Sequence, residues 1–198
     1  MIAAVRKPLL GACLALGLAL PIAVTAADAP SLRPDHGAQS YRPPHRQPTT
    51  LTEKVRRATA KYRDINVALY EHWKPATPCV SGPNTGAMGV HFVLPERLDD
   101  ATVSANVPEA LIYEPQPDGS MRLVGVEFIL FQAKWDNSQH TDPAPSLEGH
   151  LMNLVGAPNR YGLDAFYELH VWAWEDNPEG SFADWNTHVT CENQPLDY

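Results

Sequence analysis

The stretch that most constrains the fold is a central segment that runs from Met121 to Phe131. From Val124 onward it is apolar at both odd and even positions and rich in β-branched and aromatic residues. Because side chains of a strand alternate between two faces, this pattern predicts a long β-strand that is buried on both faces. Glu127 is the one charged residue in its apolar part.

A second strand, over 110–113, is predicted to form a hairpin with this segment. Pro117-Asp118-Gly119 is a turn signal between them, and Leu111–Tyr113 is expected to pair with Leu123–Gly125. Further strands are predicted over 89–94, 166–174 and, at a sheet edge, 187–191, with a short helix over 146–155.

An amphipathic helix is predicted before the strands. Thr50 and Glu53 form a capping box that marks its first turn. Apolar residues then recur at spacings of three and four, at Val55, Ala58, Tyr62, Ile65, Leu69 and Trp73. One helix before a mostly antiparallel sheet is typical of the α+β class. Periodicity does not distinguish an open sheet from a small barrel.

The first 26 residues are predicted to be a secretory signal peptide. Two basic residues precede an apolar stretch that ends in small residues, so cleavage is expected after Ala26, or after Ala27 or Ala29. The mature protein is then periplasmic or secreted, without a stable membrane anchor. The four residues ending at Cys13 resemble a lipoprotein lipobox, but the apolar stretch continues well past this cysteine, which favours the secretory signal.

The residues after the signal divide into two parts. Residues 27–48 are polar and rich in proline, which predicts a disordered or extended leader, and residues 49–198 are expected to form a single β-rich domain. Removing the signal, with its two basic and no acidic residues, changes the formal charge from −8 to −10. No cluster of Lys and Arg follows residue 63, which argues against nucleic acid as a partner.

The mature chain keeps two cysteines, Cys79 and Cys191. In an oxidising compartment this pair is predicted to form a disulfide. Closing a loop of about 100 residues stabilises a fold by roughly 4–5 kcal/mol in the chain-entropy model.

Three predicted strands each carry a metal-binding side chain in an apolar setting, at His91, Glu127 and His170. An unpaired buried carboxylate costs several kcal/mol, so Glu127 must be protonated, ion-paired or bound to a metal. Imidazole and carboxylate groups that share a cavity bind Zn, Cu, Fe, Ni or Mn. We therefore predict a site for one divalent transition metal at these residues, with His150 as an optional fourth ligand.

A metal-free interpretation stays open beside this one. A histidine within a strand is commonly a hydrogen-bonded core residue, and Glu127 can instead pair with Arg122, Lys134 or Arg160. The chain is then a small-ligand or protein-interaction module with an aromatic-lined cavity.

The sequence carries no compact catalytic signature such as a Gly-x-Ser-x-Gly elbow, a phosphate loop or His-Glu-x-x-His. If the metal site is catalytic, the ion acts as a Lewis acid or an oxygen-activating centre. Arg160 and Tyr161, which lie in a turn, are then expected to orient a substrate at its rim. The sequence does not choose between these chemistries.

Five segments together resemble a group of exported bacterial proteins. They are 77–83 (TPCVSGP), 89–92 (GVHF), 108–115 (PEALIYEP), 123–127 (LVGVE) and 168–172 (ELHVW). The resemblance covers most of the mature chain. It implies an exported protein and no particular activity, because that group has none assigned.

Overall fold

The computed structural model describes residues 50–194, and the fold is built from these. The predicted signal peptide over 1–26 and the predicted leader over 27–48 lie outside the described residues. Within 50–194 we find no helix with the length and hydrophobicity needed to cross a membrane.

The described residues form an α+β fold with a mostly antiparallel sheet, which confirms the predicted class. The helices are α1 (Leu51–Thr59), α2 (Ile65–Tyr70) and α3 (Gln132–Asp136), with 3-10 turns at Ala60–Arg63 and Pro95–Arg97. The strands are β1 (Lys74–Pro75), β2 (Val80–Gly82), β3 (Gly86–Val93), β4 (Ala110–Pro115), β5 (Met121–Phe131), β6 (Ser146–Leu147), β7 (His150–Leu151), β8 (Asn153–Val155) and β9 (Phe166–Val171).

Seven of these strands form one open sheet. Its order is β1-β3-β4-β5-β9-β8, and β2 pairs with another part of β3. β6 and β7 form a separate two-stranded sheet. Because β5 lies between β4 and β9, the segment predicted as a buried strand is internal to the sheet. The path has two ends, so the sheet is open rather than a closed barrel.

One face of the sheet packs against the helices and forms the main core; we call it the helix face. Its sheet residues are Val90, Phe92, Leu111, Tyr113, Val126, Phe128, Leu130, Tyr167, Leu169 and Val171. The helical region contributes Leu51, Val55 and Tyr62, and the Tyr113 hydroxyl donates to the carbonyl oxygen of Tyr62 at 2.6 Å. Each large apolar side chain buried here contributes about 1.5–3 kcal/mol.

A β-bulge lies in the hairpin of β4 and β5, whose predicted pairing is otherwise confirmed. Ile112 is opposite Gly125 and the next pair is Tyr113 with Leu123, so Val124 is an extra residue in β5. A bulge reverses the alternation of side chains on either side of it. Leu123 therefore packs on the helix face, whereas Val124 packs on the opposite face.

The single long helix predicted after Thr50 is interrupted. α1 begins at the expected capping box, in which the Thr50 hydroxyl accepts from the Glu53 backbone N–H at 3.2 Å. The chain then tightens into a 3-10 turn, and Asp64 caps α2 as a new start. The interruption rotates the apolar stripe, so Leu69, which was expected in it, is 49% exposed.

Three other predictions of local structure differ from what the structure shows. The segment 146–155 forms β6, β7 and β8 instead of a helix. It contains Glu148 and Gly149 at φ of 50° and 88°, values that a right-handed helix does not contain. The last long strand ends at Val171, three residues earlier than predicted, and 187–191 forms a turn followed by irregular chain rather than an edge strand.

The predicted disulfide is present and holds the C-terminal segment, residues 181–194, over the second face of the sheet. Cys79 and Cys191 are joined by an S–S bond of 2.07 Å. Close to this bond, Val189 packs with Ile112 and Trp172 on the face opposite the helices. We call this second face the site face.

Candidate metal centre

Polar side chains lie in the middle of the site face, between two small apolar clusters. One cluster contains Ile112 and Trp172, and the other contains Ile129 and Phe166. The polar residues between them are His91, Glu127, Glu168 and His170, which are 5%, 5%, 4% and 1% exposed. Four polar side chains this deeply buried need partners, because desolvation without them is unfavourable.

Strand register brings Glu127 and His170 together. The antiparallel pairing of β5 with β9 places these two residues directly opposite each other. Side chains in this relation have Cβ atoms about 4.5–5.5 Å apart. Glu168 lies two residues away from His170 along β9 and therefore shares its face.

His91 reaches the same group from β3. In the intervening β4, the residue opposite Glu127 is Ala110, so a single methyl group occupies that position. Nε2 of His91 lies 3.3 Å from Oε2 of Glu127. Nδ1 of His91 lies 3.5 Å from the Thr77 hydroxyl. Thr77, which lies outside the polar cluster, thus contacts Nδ1 of His91, while Nε2 points towards Glu127.

The spacing of the three predicted ligands suits a metal ion. One ligand atom from each of His91, Glu127 and His170 lies within 4.8 Å of the other two. Two ligands of a tetrahedral ion with bonds of about 2.0–2.1 Å lie about 3.3–3.4 Å apart. The His91–Glu127 contact at 3.3 Å already has this spacing.

His170 is the least satisfied polar side chain of the group. Neither of its ring nitrogens has a hydrogen-bond partner among the described residues. Its nearest carboxylate oxygen outside the sheet, Oδ1 of Asp184, is 3.9 Å from Nδ1, beyond hydrogen-bond distance. Each buried polar atom left in this state costs about 1–3 kcal/mol. A metal ion bound to one nitrogen removes part of this cost.

Burial sets the protonation states of the two histidines. It lowers the pKa of His91 to about 4. Burial, with a further contribution from His91, lowers the pKa of His170 to about 3. Both imidazoles are therefore neutral at neutral pH, which is the form that binds a metal.

Burial also acts on Glu127. Desolvation, and then the neighbouring Glu168, raise the pKa of Glu127 well above that of an ordinary carboxylic acid. The contact between His91 and Glu127 is therefore one between neutral groups rather than an ion pair. A cation at this position favours ionised Glu127 and so reverses the shift.

Two further carboxyl groups complete the cluster. Burial raises the pKa of Glu168, and that of Asp184 is raised by its partial burial. Glu168, His170 and Asp184 also offer one ligand atom each within 4.8 Å of one another. The charges of Glu168 and Asp184 also raise the pKa of Glu127, so the three carboxyl groups repel one another when ionised, and a cation relieves that repulsion.

Asp184 is brought to the cluster by the chain that follows β9. The indole N–H of Trp172 donates to the carbonyl oxygen of Ala183 at 2.6 Å, and its backbone N–H donates to Ser181 at 2.9 Å. These bonds fold residues 181–184 back against the sheet. Glu168 had a sequence signal, because it shares a strand face with His170; Asp184 lies in an irregular segment and had none.

His150, the predicted fourth ligand, is not brought into this cluster. It lies in β7 of the separate two-stranded sheet. Its ring packs on Phe182 with the centroids 3.9 Å apart, and it lines a different cavity with Glu148. Glu168 and Asp184 are the nearby additional donors instead.

The basic partners considered for Glu127 are engaged elsewhere. Arg122 pairs with two other glutamates and Lys134 with an aspartate. The guanidinium of Arg160 lies over the ring of Trp185, 5.8 Å from its centroid. Glu127 therefore keeps no basic side chain as a partner among those three.

A cavity of about 210 Å³ opens beside His91 and Glu127. The ring of Tyr161 forms part of its wall, and the Tyr161 hydroxyl donates to the sulfur of Met88 at 3.5 Å. Of the two residues expected at the rim, Tyr161 therefore lines the cavity with its ring. Arg160 is not among the residues that line it.

Comparisons with known proteins do not assign this site. No family model matches the chain, and the searches of curated proteins and of solved structures find no match. The functional interpretation therefore depends on the residues of the cluster.

Proposed function

We propose that this protein is an exported metal-binding domain that holds one divalent transition-metal ion through His91, Glu127 and His170. The observation that carries the proposal is the environment of His170: a fully buried imidazole that has no hydrogen-bond partner in the described part of the chain and lies beside a second imidazole and a carboxyl group. Structural histidines of a core normally have their ring nitrogens satisfied. Metal ligation gives this arrangement a physical reason.

The donor set narrows the kind of metal. Imidazole with carboxylate suits Zn, Fe, Mn, Ni and Cu, whereas Ca and Mg prefer oxygen donors alone. Two imidazoles and one carboxylate leave coordination positions open for water or substrate, as in catalytic zinc and non-haem iron sites. A small metalloenzyme that uses Lewis-acid or oxygen-activation chemistry is the corresponding extension of the proposal.

The neighbouring carboxyl groups support a cation of charge +2. Ionised Glu127 neutralises one of its charges, and Glu168 can neutralise the second by releasing its own proton. The two pKa values are raised by burial in the absence of a cation. Metal binding should therefore release protons, and the affinity should rise with pH.

Export is the second part of the proposal. The predicted signal peptide supports it, and so does the Cys79–Cys191 disulfide, because disulfides persist in oxidising compartments. Amino-terminal sequencing of protein recovered from the periplasm or the medium should begin at Ala27. A chain that retains Met1 and stays in the cytoplasm contradicts this part.

Metal content tests the first part. Wild type, His91→Ala, Glu127→Gln and His170→Ala are purified without chelator and analysed by elemental mass spectrometry, with circular dichroism to verify folding. His150→Ala is the matched control, because it removes an imidazole outside the cluster. We expect near-stoichiometric metal in wild type and in the control, and at least a tenfold lower content in the other three.

The contrary result is equally defined. Wild type that holds no metal, and whose thermal stability does not change with Zn, Cu, Ni, Mn or Fe(II), overturns the proposal. The second candidate, a metal-free small-ligand module, is then preferred. The cavity beside His91 favours that candidate. A metal-free module, however, gives no reason for the unsatisfied ring nitrogens of His170.

A further inference from the structure

We infer that the cavity beside the proposed metal site binds a compact neutral molecule with a single aromatic ring and one hydroxyl group. The hydroxyl is directed at His91 and Glu127. Phenols are the simplest members of this class. The inference gives the proposed metal site a substrate class, and its hydroxyl contact rests on that proposed function.

The size of the cavity limits the ligand. Its volume is about 210 Å³. An apolar protein cavity of about 150 Å³ accommodates benzene, so this one has room for a ring with one or two small substituents. Drug-sized ligands occupy pockets of about 300–1,000 Å³. Nucleotides, oligosaccharides and peptides are therefore too large.

The wall of the cavity selects an apolar ring. It is built largely from aliphatic and aromatic side chains, among them Val93, Leu98, Ile129, Phe131, Leu163 and Phe166. The Tyr161 and Phe166 rings meet edge to face at 6.1 Å, and the Tyr161 hydroxyl is already bonded to Met88. Tyr161 thus offers its ring rather than its hydroxyl. Aromatic walls of this kind favour an aromatic ligand through edge and stacking contacts.

The polar part of the wall selects a single hydroxyl. Thr77, His91 and Glu127 all line the cavity, and His91 contacts both of the other two. These three side chains therefore lie side by side, and because the wall exposes very little polar surface to the cavity, it has room for no more than one polar group of a ligand. Among residues 50–194, no lysine or arginine lines the cavity. A carboxylate ligand would be desolvated beside acidic groups, whereas a hydroxyl can donate to Glu127 or reach an ion held there.

Titration with matched small molecules tests the inference. Metal-loaded protein is titrated with 4-methylphenol, toluene and 4-methylbenzoate, and binding is followed by ligand-observed NMR. We expect 4-methylphenol to bind at least tenfold more tightly than either of the others. Equal or weaker binding of 4-methylphenol overturns the hydroxyl assignment.

A pair of leucine variants locates the binding. Leu163 lines the cavity and is 43% exposed, so Leu163→Trp narrows the cavity with little risk to folding. Leu154 is 52% exposed and lies outside the wall, so Leu154→Trp is the control. We expect Leu163→Trp to weaken 4-methylphenol binding at least tenfold with unchanged metal content, and Leu154→Trp to bind as wild type. Unchanged binding by Leu163→Trp overturns the location.

The same titration on protein treated with EDTA separates the two proposals. Protein that holds metal but does not bind 4-methylphenol retains the proposed function and overturns this inference. Protein that holds no metal, yet binds 4-methylphenol in a manner sensitive to Leu163→Trp, overturns the metal proposal and supports the cavity as the binding site.

Discussion

His170 is 1% exposed, and both of its ring nitrogens lack a partner among residues 50–194. A buried histidine that stabilises the fold would have hydrogen-bonded ring nitrogens, since unsatisfied buried polar atoms destabilise a fold. The neutral state imposed by burial costs nothing further at neutral pH, because the pKa of His170 is lowered to about 3. This pattern is the one that the proposed metal ligation by His170 predicts.

This leads to a prediction for His170→Phe. In EDTA, the free energy of unfolding should fall by less than about 1 kcal/mol, or rise, because a ring of similar size replaces unsatisfied polar atoms. Wild type should gain about 2.7 kcal/mol at a Zn concentration 100 times its dissociation constant, and the variant should gain none. Urea unfolding with and without Zn measures both values. Destabilisation of the EDTA-treated variant by more than about 2 kcal/mol would show a structural role.

Glu109 is a second buried group with a defined pH dependence. Its carboxyl oxygen Oε2 accepts from the Ile129 backbone N–H at 3.1 Å, and burial raises its pKa to about 8. The folded-state pKa is above the unfolded value of about 4.5, so the stabilisation is complete below that value. It is lost as pH rises toward about 8, because the unfolded chain ionises more readily.

Glu109→Gln should remove this dependence while keeping an acceptor for Ile129. Relative to the variant, metal-free wild type should lose on the order of 1 kcal/mol per pH unit between about pH 5 and pH 8. Urea unfolding of both proteins in EDTA across this range measures the difference. Glu96→Gln, at an exposed glutamate, controls for the loss of one carboxylate. Parallel curves for wild type and Glu109→Gln would show that Glu109 is ionised in the folded state.

At the scale of elements, the strands were predictable where alternation and composition agree. The existence of β4, β5 and β9 and the hairpin pairing of β4 with β5 follow from that pattern, whereas the pairing of β5 with β9 was not predicted. The helix prediction missed its interruption because Asp64 offers a local side-chain cap that competes with the continuing helix. The 146–155 segment has helical spacing but is turned by Glu148 and Gly149 at positive φ.

The site was predictable by residue type more than by position. Glu127 and His170 are visible as polar residues in apolar strands, but their direct opposition depends on the register of β5 with β9. The bulge at Val124 sets which side of β5 its residues face, and an all-apolar run gives no signal of it. Asp184 comes from a loop placed by tertiary contacts, which is why periodicity does not reveal it.

Ala110 is the element-scale feature that allows three strands to share one site. It is fully buried in β4 and lies opposite both Val93 in β3 and Glu127 in β5. Ala110→Leu should insert a larger side chain beside the His91–Glu127 contact. We expect metal affinity to fall at least tenfold, with a loss of about 1–3 kcal/mol in stability from overpacking.

Competition with a chromophoric chelator measures the affinity of Ala110→Leu. Ala68→Leu is the matched control, because Ala68 is equally buried but lies in the helix-face core. This control should lose comparable stability and keep its metal affinity. Equal affinities for the two variants would mean that Ala110 does not govern the spacing of the ligands.

At the scale of the whole molecule, the two faces of the sheet differ in polarity and in what covers them. The helix face is continuously apolar and supplies most of the buried hydrophobic surface. The site face is divided by the polar cluster into two small apolar groups. It is covered by the C-terminal segment, whose Val189 packs on Trp172 and whose Thr190 backbone N–H donates to Glu114 at 2.8 Å. How firmly the C-terminal segment stays packed on the sheet depends on the bonds that connect the two.

The Cys79–Cys191 disulfide is one such bond, with a sequence separation of 112 residues. In the chain-entropy model a loop of this length stabilises the fold by about 4–5 kcal/mol, and measured values for native disulfides run from about 2 to 5 kcal/mol. The Cys79→Ser/Cys191→Ser double variant should therefore lose about 2–5 kcal/mol in urea unfolding. Because the C-terminal segment also brings Asp184 to within 3.9 Å of His170, the variant should release bound metal faster than wild type.

The rate of metal release into excess chelator is the measurement for the cysteine double variant. The same measurement distinguishes the contribution of the C-terminal segment from that of the sheet residues. The Asp184→Asn variant, made with both cysteines present, removes the carboxylate charge and keeps the Cys79–Cys191 disulfide. If the segment acts mainly through Asp184, the two variants should release metal at similar rates while only the cysteine variant loses stability. If it acts mainly as a cover, only the cysteine variant should release metal faster. Release at the wild-type rate from both would mean that the three sheet residues hold the ion without help from the C-terminal segment.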